Sequence, residues 1–256
     1  MKNKVAVILA GGKGTRLSPM TEYLNKHLLP IYNKPMIYYP LSIAKRSGIK
    51  KIYLICNPGD DKLFKSHLGS GKNFDLNIEY LIQKKPNGIA GGLKLLEKKI
   101  PVNTKILLLL GDNIFVGQGL QENYLRSAFK SDLKFTIFSV FSYKPENFGV
   151  IQYKKNKPAK IIEKPKKFIS NDIVTGMYVF DSECLNYIRK IKLSKFKQYE
   201  ITDFINLFIK ENEVKIIKFG AGMAWIDCGE PETLFEAAQM VKFYNDKFGI
   251  NLGYLK

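Results

Sequence analysis

The chain has 256 residues, 45 % of them hydrophobic, which is enough for a sizeable core in one large domain or two small ones and excludes wholesale disorder. Its formal charge is +18, but only four of the 41 basic residues are arginine (16, 46, 126 and 189), and the lysines spread over most surface-type segments. A nucleic-acid footprint would need clustering with interleaved aromatics or a reading module, and the sequence has neither, though such a charge attracts small polyanions over distance.

The first 112 residues alternate strand and helix patterns. Strand-like runs are Val5–Ala10, Lys51–Cys56, Ile78–Ile82 and Ile106–Leu110, and amphipathic segments are Met36–Arg46, Asp60–Leu68 and Ile89–Lys99. Such alternation predicts βαβ units and a mostly parallel sheet with helices on both faces. The continuous apolar run Ile106–Leu110 suits a central strand buried on both sides, and it is far too short to cross a bilayer. After residue 130 the rhythm changes: Lys134–Phe141, Val150–Tyr153, Lys160–Glu163 and Ile173–Phe180 read as strands. Helical segments Ser182–Lys190, Ile201–Glu211 and Pro231–Tyr244 follow, with a strand at Val214–Phe219 between them. A single domain with a nucleotide-binding half (1–130) and a mixed half (131–256) is expected, with ligands at the carboxyl ends of the strands.

No secretory signal with a cleavage site opens the chain. Cys56, Cys184 and Cys228 are far apart and odd in number, so neither a disulfide framework nor a metal knuckle is indicated. A cytoplasmic home is expected.

The first strand runs straight into Gly11-Gly12-Lys13-Gly14-Thr15-Arg16-Leu17. Glycines allow close approach to a phosphate, successive N–H groups can form an anion nest, and Arg16 offers a planar fork for phosphate oxygens. The order of residues excludes a Walker A loop, and Leu17 stands where a dinucleotide fingerprint needs its last glycine. Asp112 follows the buried strand directly, where a carboxylate can enter a cleft and hold Mg²⁺. Asp227 lies in Trp225-Ile-Asp-Cys-Gly229, ahead of the helix that begins near Pro231.

The opening stretch, then Lys26-His-Leu-Leu-Pro-Ile31 and Lys34-Pro-Met-Ile-Tyr-Tyr-Pro-Leu41, resembles the sugar-phosphate nucleotidyltransferase family, and within it the glucose-1-phosphate thymidylyltransferases. Further matches are Leu110-Gly-Asp-Asn-Ile-Phe115, Phe148-Gly-Val-Ile151, Ile162-Glu-Lys-Pro165, Thr175-Gly-Met-Tyr178, Glu200-Ile-Thr-Asp203 and Ala224-Trp-Ile-Asp227. The resemblance implies an α/β fold of the GT-A-like nucleotidyltransferase type, a Rossmann-like sheet fused to a mixed sugar-binding half. It implies transfer of a nucleoside monophosphate from dTTP or UTP to a sugar 1-phosphate, glucose 1-phosphate foremost, in nucleotide-sugar and polysaccharide biosynthesis.

By the same resemblance, Arg16, Lys26, Lys164, Asp112 and Asp227 form the catalytic set, and the two aspartates hold Mg²⁺. The nucleotide would lie against Leu9, Gly11, Gly12, Gly14, Thr15, Arg16, Gln83, Pro86, Gly88 and Asp112. The sugar phosphate would lie against Lys26, Asn113, Gly149, Glu163, Lys164, Val174 and Tyr178. An amide such as Gln83 can pair with a pyrimidine edge. Glu163 and Lys164 are strand neighbours that should face opposite ways, so both can reach one ligand only through a kink, expected beside Pro165. Gly91-Gly92 stands where thymidylyltransferases usually have Gln-Ala, and Phe148 replaces their commoner tyrosine.

The attacking phosphate is already an anion, so the expected reaction is a direct displacement at the α-phosphorus, with no covalent intermediate and no general base. The partners expected are the two substrates and further copies of the chain, as a dimer or tetramer, with neither nucleic acid nor membrane. The other readings are a metal-dependent glycosyltransferase, whose usual D-x-D is absent at Gly111-Asp112-Asn113, and a non-catalytic nucleotide-sugar-binding regulator. Longer thymidylyltransferases carry further helices after the segment matching Glu232–Tyr244, where they help form a regulatory site; weakened feedback inhibition is the expectation here.

Overall fold

In the computed structural model, which describes residues 3–255, the expected strand–helix alternation is present. Strand β1 (Asn3–Ala10) is followed by two short strands, β2 (Pro30–Ile31) and β3 (Lys34–Pro35). Then come α1 (Tyr38–Arg46), β4 (Lys51–Cys56), α2 (Asp60–Leu68), β5 (Asn77–Ile82), α3 (Ile89–Leu93), β6 (Thr104–Leu110), β7 (Asn113–Gly117) and α4 (Arg126–Phe129). The second half supplies β8 (Phe135–Phe141), β9 (Gly149–Lys154), β10 (Lys157–Glu163), β11 (Asp172–Asp181), α5 (Ile201–Ile209), β12 (Val214–Lys218), β13 (Met223–Asp227) and α6 (Pro231–Phe248).

Two segments differ in kind from the expectation. The helix expected over 89–99 is the short α3 followed by a 3₁₀ turn at Lys94–Leu96. Gly91 and Gly92 weaken helical continuation there, and Lys98 has a left-handed φ of 64°. Ser182–Lys190 is wound as a 3₁₀ helix rather than an α-helix. No helix among the described residues is long and apolar enough to cross a membrane.

The chain forms two compact units that interleave along the sequence. One comprises residues 4–85, 108–122 and 221–255. In it β1, β4 and β5 pair in parallel, with Ala6 opposite Ile52 and Ile52 opposite Ile78. Ala6, Val7 and Ile8 are fully buried, as a strand covered on both faces requires. Elsewhere in this unit β13 runs antiparallel to β7, Asp227 opposite Asn113. That ribbon is pinned by an apolar cluster in which Ile114 and Val116 of β7 meet Ile31, Met36, Tyr39 and Cys228, with Ala237 and Val241 from α6. The Tyr39 hydroxyl donates to the Ile31 carbonyl at 2.6 Å, so the buried phenol is satisfied.

The other unit comprises Asn3, Pro86–Leu107 and Asn123–Gly220. Strands β9 and β10 form a hairpin whose two turn residues, Lys155 and Asn156, both have positive φ, as a tight type I′ turn needs. Strand β11 pairs antiparallel with β8, and β12 pairs in parallel with β8. Phe135 and Phe180 stack at 4.8 Å beneath Phe204 and Phe208 of α5. Helix α5 is also fixed to the edge strand β10, because the Asn206 amide brackets Ile161. Its Oδ1 accepts from the Ile161 N–H and its Nδ2 donates to the Ile161 carbonyl, both at 2.8 Å.

Candidate active site

The glycine-rich loop leaves β1 through Gly12 and Gly14, whose φ values of 92° and 62° lie in the left-handed region that glycine alone enters without strain. The loop is held from outside. The Asn57 amide, just past β4, accepts from the Gly12 N–H and donates to the Gly12 carbonyl, each at 3.1 Å. Thr21 donates to the Gly14 carbonyl at 2.8 Å. The same Asn57 and Asn25 both donate to Asp60 Oδ2, at 2.8 and 2.7 Å. Thr15 and Arg16 sit in the 3₁₀ turn that follows the loop.

In the same unit the backbone of the β7–β13 ribbon brings the two predicted aspartates together. Asp112 immediately precedes β7, Asp227 ends β13, and the Cys228 N–H donates to the Asp112 carbonyl at 2.9 Å. Lys26 Nζ donates to Asp112 Oδ2, and the two side chains are only 14 % and 16 % exposed. Asn113 Nδ2 donates to the other Asp112 oxygen at 3.0 Å, and Trp225 Nε1 donates to Asn113 Oδ1 at 2.7 Å. Asn113, expected at the sugar phosphate, therefore orients the Asp112 carboxylate through its own side chain.

The charges in this cluster set one another. Burial works against ionising Asp112, but the Lys26 ammonium overrides it and holds the carboxyl down at about 2. At Asp227 burial and the neighbouring Asp112 charge outweigh the pull of Lys26 and Arg16 and push it up to about 7. Burial lowers Lys26, yet its charge contact and hydrogen bond with Asp112 leave it above the usual lysine value. His27, fully buried next to Lys26, is pushed down to about 3 and stays neutral, its Nδ1 2.7 Å from Asn25 Oδ1.

The second group of expected residues lies in the other unit. Glu163 ends β10 opposite Gly149 of β9. A Cβ on Gly149 would lie 2.7 Å from Thr202 Cγ2 and 3.5 Å from Glu163 Oε2, so these residues converge. The Thr202 hydroxyl donates to Glu163 Oε2 at 3.3 Å. Burial, then the nearby Glu200, raises Glu163 above the usual carboxylate range. Tyr178 on β11 is buried near enough to Glu163 for that charge to add to the burial that raises its phenol. Val174, also on β11, is almost fully buried. The kink expected beside Pro165 is present: Lys164 has a left-handed φ of 43°, and its N–H donates to the Phe148 carbonyl at 3.0 Å.

The segment expected to meet the base divides between the units. Gln83 follows β5, its N–H donating to the Cys56 carbonyl at 2.9 Å, and its Oε1 lies 3.8 Å from where a Gly11 Cβ would be. Pro86 and Gly88 belong to the other unit, where Gly88 opens α3 against the Tyr199 backbone. Leu9 lies on β1, and its carbonyl accepts the Gly111 N–H at 2.8 Å. Sequence reasoning missed Asn25, Asn57, Thr202 and Glu230, whose side chains hold the loop and its Asp60 anchor, Glu163 and Arg16, and His27, buried beside Lys26. His27 and Thr202 stand inside the matched runs Lys26–Ile31 and Glu200–Asp203, whereas Asn25, Asn57 and Glu230 are polar residues flanking a motif or strand, a signal too common to single out.

A glycine loop opening to an arginine, beside a buried lysine and paired carboxylates on an α/β scaffold, defines a phosphate-handling protein of the transferase type. The chain belongs to the nucleotidyl transferase family, whose pattern matches residues 5–242. It is 39 % identical to glucose-1-phosphate thymidylyltransferase of Neisseria meningitidis over 237 residues, 92 % of this chain and 82 % of that protein. The enzyme of the same name from Xanthomonas campestris is 38 % identical over 253 residues, 98 % of this chain and 85 % of that one. A Bacillus anthracis protein provisionally named glucose-1-phosphate thymidylyltransferase, solved with sucrose, superposes with a TM-score of 0.86 at 33 % identity, covering 93 % and 95 % of the two chains. UDP-glucose pyrophosphorylase bound to UDP-glucose superposes at 0.80, but at 22 % identity that likeness is one of fold.

Proposed function

We propose that this nucleotidyltransferase joins dTTP or UTP to a sugar 1-phosphate, glucose 1-phosphate foremost, giving a nucleotide-sugar and pyrophosphate. The observation that carries the reading is the Lys26–Asp112–Asp227 cluster next to the glycine loop, in a chain 39 % identical over 237 residues to a glucose-1-phosphate thymidylyltransferase. The resemblance to UDP-glucose pyrophosphorylase in fold keeps UTP beside dTTP.

The loop N–H groups and Arg16 bind and orient the triphosphate, and Arg16 stabilises pyrophosphate as it leaves. Lys26 and Lys164 offset the repulsion between the sugar phosphate and the triphosphate, while Glu163 accepts hydrogen bonds from sugar hydroxyls. Two unit anions 4 Å apart repel by about 4 kcal/mol at an effective dielectric of 20, so positioned cations are needed. The donor set fits a hard divalent cation, magnesium in this reading, because Asp112 and Asp227 offer only carboxylate oxygens and crowd each other's charge. No group of three potential metal-ligating side chains gathers among the described residues, so the protein would supply two ligands and phosphate and water the rest. When bound, the cation supplies charge neutralisation at the reacting phosphates. A cytoplasmic homo-oligomer, dimer or tetramer, completes the proposal, and light scattering tests the assembly.

The deciding experiment incubates the protein and Mg²⁺ with four triphosphates against several sugar 1-phosphates, measuring pyrophosphate and identifying the product. Pyrophosphate and dTDP- or UDP-glucose in equal amounts are expected. Sugar transfer from a nucleotide-sugar to an acceptor would indicate a glycosyltransferase, and product binding without turnover a regulator; either result overturns the proposal.

A further inference from the structure

Glu230 holds the residue assigned above to the triphosphate. Arg16 Nη1 donates to Glu230 Oε1 at 2.7 Å, across 214 positions of sequence. The side chains are 63 % and 51 % exposed, so water and salt compete for the pair and it is weak. Glu230 is nonetheless anchored. It is the N-cap residue of α6, its side chain accepts the Thr233 N–H, and its own N–H donates to Thr233 Oγ1 at 3.3 Å. Gly229 makes room for the contact, since a Cβ there would come within 2.6 Å of Arg16 Nη2.

A carboxylate and a phosphate offer a guanidinium similar pairs of oxygen acceptors. A phosphate oxygen that takes the Nη1 N–H aimed at Glu230 displaces that carboxylate, and the Glu230 charge repels an arriving polyanion. We propose that Glu230 is a resident competitor for Arg16. It stands in for phosphate in the free protein, weakens the grip on triphosphate and pyrophosphate, and speeds the departure of pyrophosphate. The step is an exchange of hydrogen-bond partners in which no covalent bond changes. It rests on the reading that Arg16 meets the phosphates. Because the pair is exposed, the effect is modest, about two- to fivefold in affinity.

The test uses Glu230→Thr, which removes the charge but keeps an oxygen able to cap α6, and Glu230→Gln, which keeps the shape. Inorganic pyrophosphate with Mg²⁺ is titrated calorimetrically into the parent, both variants and Arg16→Ala, at low and high salt, with circular dichroism confirming folded protein. Both Glu230 variants should bind pyrophosphate about two- to fivefold more tightly, show product inhibition strengthened by the same factor, and lose the advantage at high salt. Unchanged or weaker binding by folded Glu230→Thr overturns the proposal. If Arg16→Ala binds as well as the parent, the assignment of Arg16 to phosphate has failed instead. That result differs from binding that depends on Arg16 yet ignores residue 230.

Discussion

A carboxyl group held at about 7 beside one held at about 2 makes Asp227 the proton-holding member of the pair, because burial and the Asp112 charge both disfavour its ionised form. The unfolded chain releases this proton near the ordinary value of 3.8, whereas the native protein keeps it to about 7. Between those values the native state binds more protons, so this group favours folding most below about pH 4, and its contribution is lost as pH rises through 7. Cation-free Asp227→Asn should therefore melt above the parent at pH 8, with the gap narrower at pH 5 and closed only below about pH 4. Asp112→Asn should behave oppositely, since it leaves Lys26 buried without its partner; a loss of about 3 kcal/mol at pH 7 is expected. Both variants should show little turnover at any Mg²⁺ concentration, and near-normal activity in both would remove the aspartates from the site. Arg16→Lys keeps the charge and loses the bidentate fork, so kcat should fall about tenfold at saturating substrates, a loss of about 1.4 kcal/mol in transition-state binding. An unchanged kcat would take Arg16 out of the catalytic set.

Elements place these residues, and they were legible to different degrees. Strands β4 and β5 and helix α2 stand within a residue of their expected bounds because their apolar runs and flanking turn signals are local. The ribbon β7–β13, which brings the aspartates together, carried no expectation as a strand pair. Its five-residue strands are joined only by long-range pairing, Asp227 with Asn113. The kink at Lys164 was legible, because the resemblance assigns two adjacent strand residues to one ligand and a proline follows them. The clamp of Asn206 on Ile161 was not, although it and Thr202, one turn earlier on α5, fix the end of β10 that carries Glu163. Asn206→Ala removes two hydrogen bonds and leaves buried backbone groups unpaired, so stability should fall by about 2–4 kcal/mol. KM for the sugar phosphate should rise more than kcat falls, as steady-state kinetics well below the melting temperature would reveal. An unaltered KM in a destabilised variant would confine Asn206 to folding.

At the scale of the whole molecule the formal charge of +18 acts over distance. Raising salt from about 20 to 200 mM shortens the screening length from roughly 20 Å to below 10 Å. kcat/KM for the triphosphate should therefore fall several-fold while kcat holds, and a salt-independent kcat/KM would mean the charge has no steering role. The α/β architecture was readable from the chain alone, because apolar periodicity and turn signals are local patterns whose physics acts over a few residues, and the reaction class followed from the ordered motifs that carry the family resemblance. The lysine that pairs with Asp112, the unequal proton affinities of the aspartates, the amides bracketing the loop and the carboxylate against Arg16 depended on tertiary structure. Each arises between residues from 45 to 214 positions apart or from burial that no single segment controls. Hydrogen bonds and charges of this kind take their strength from proximity and exclusion of water, and the folded chain alone supplies both.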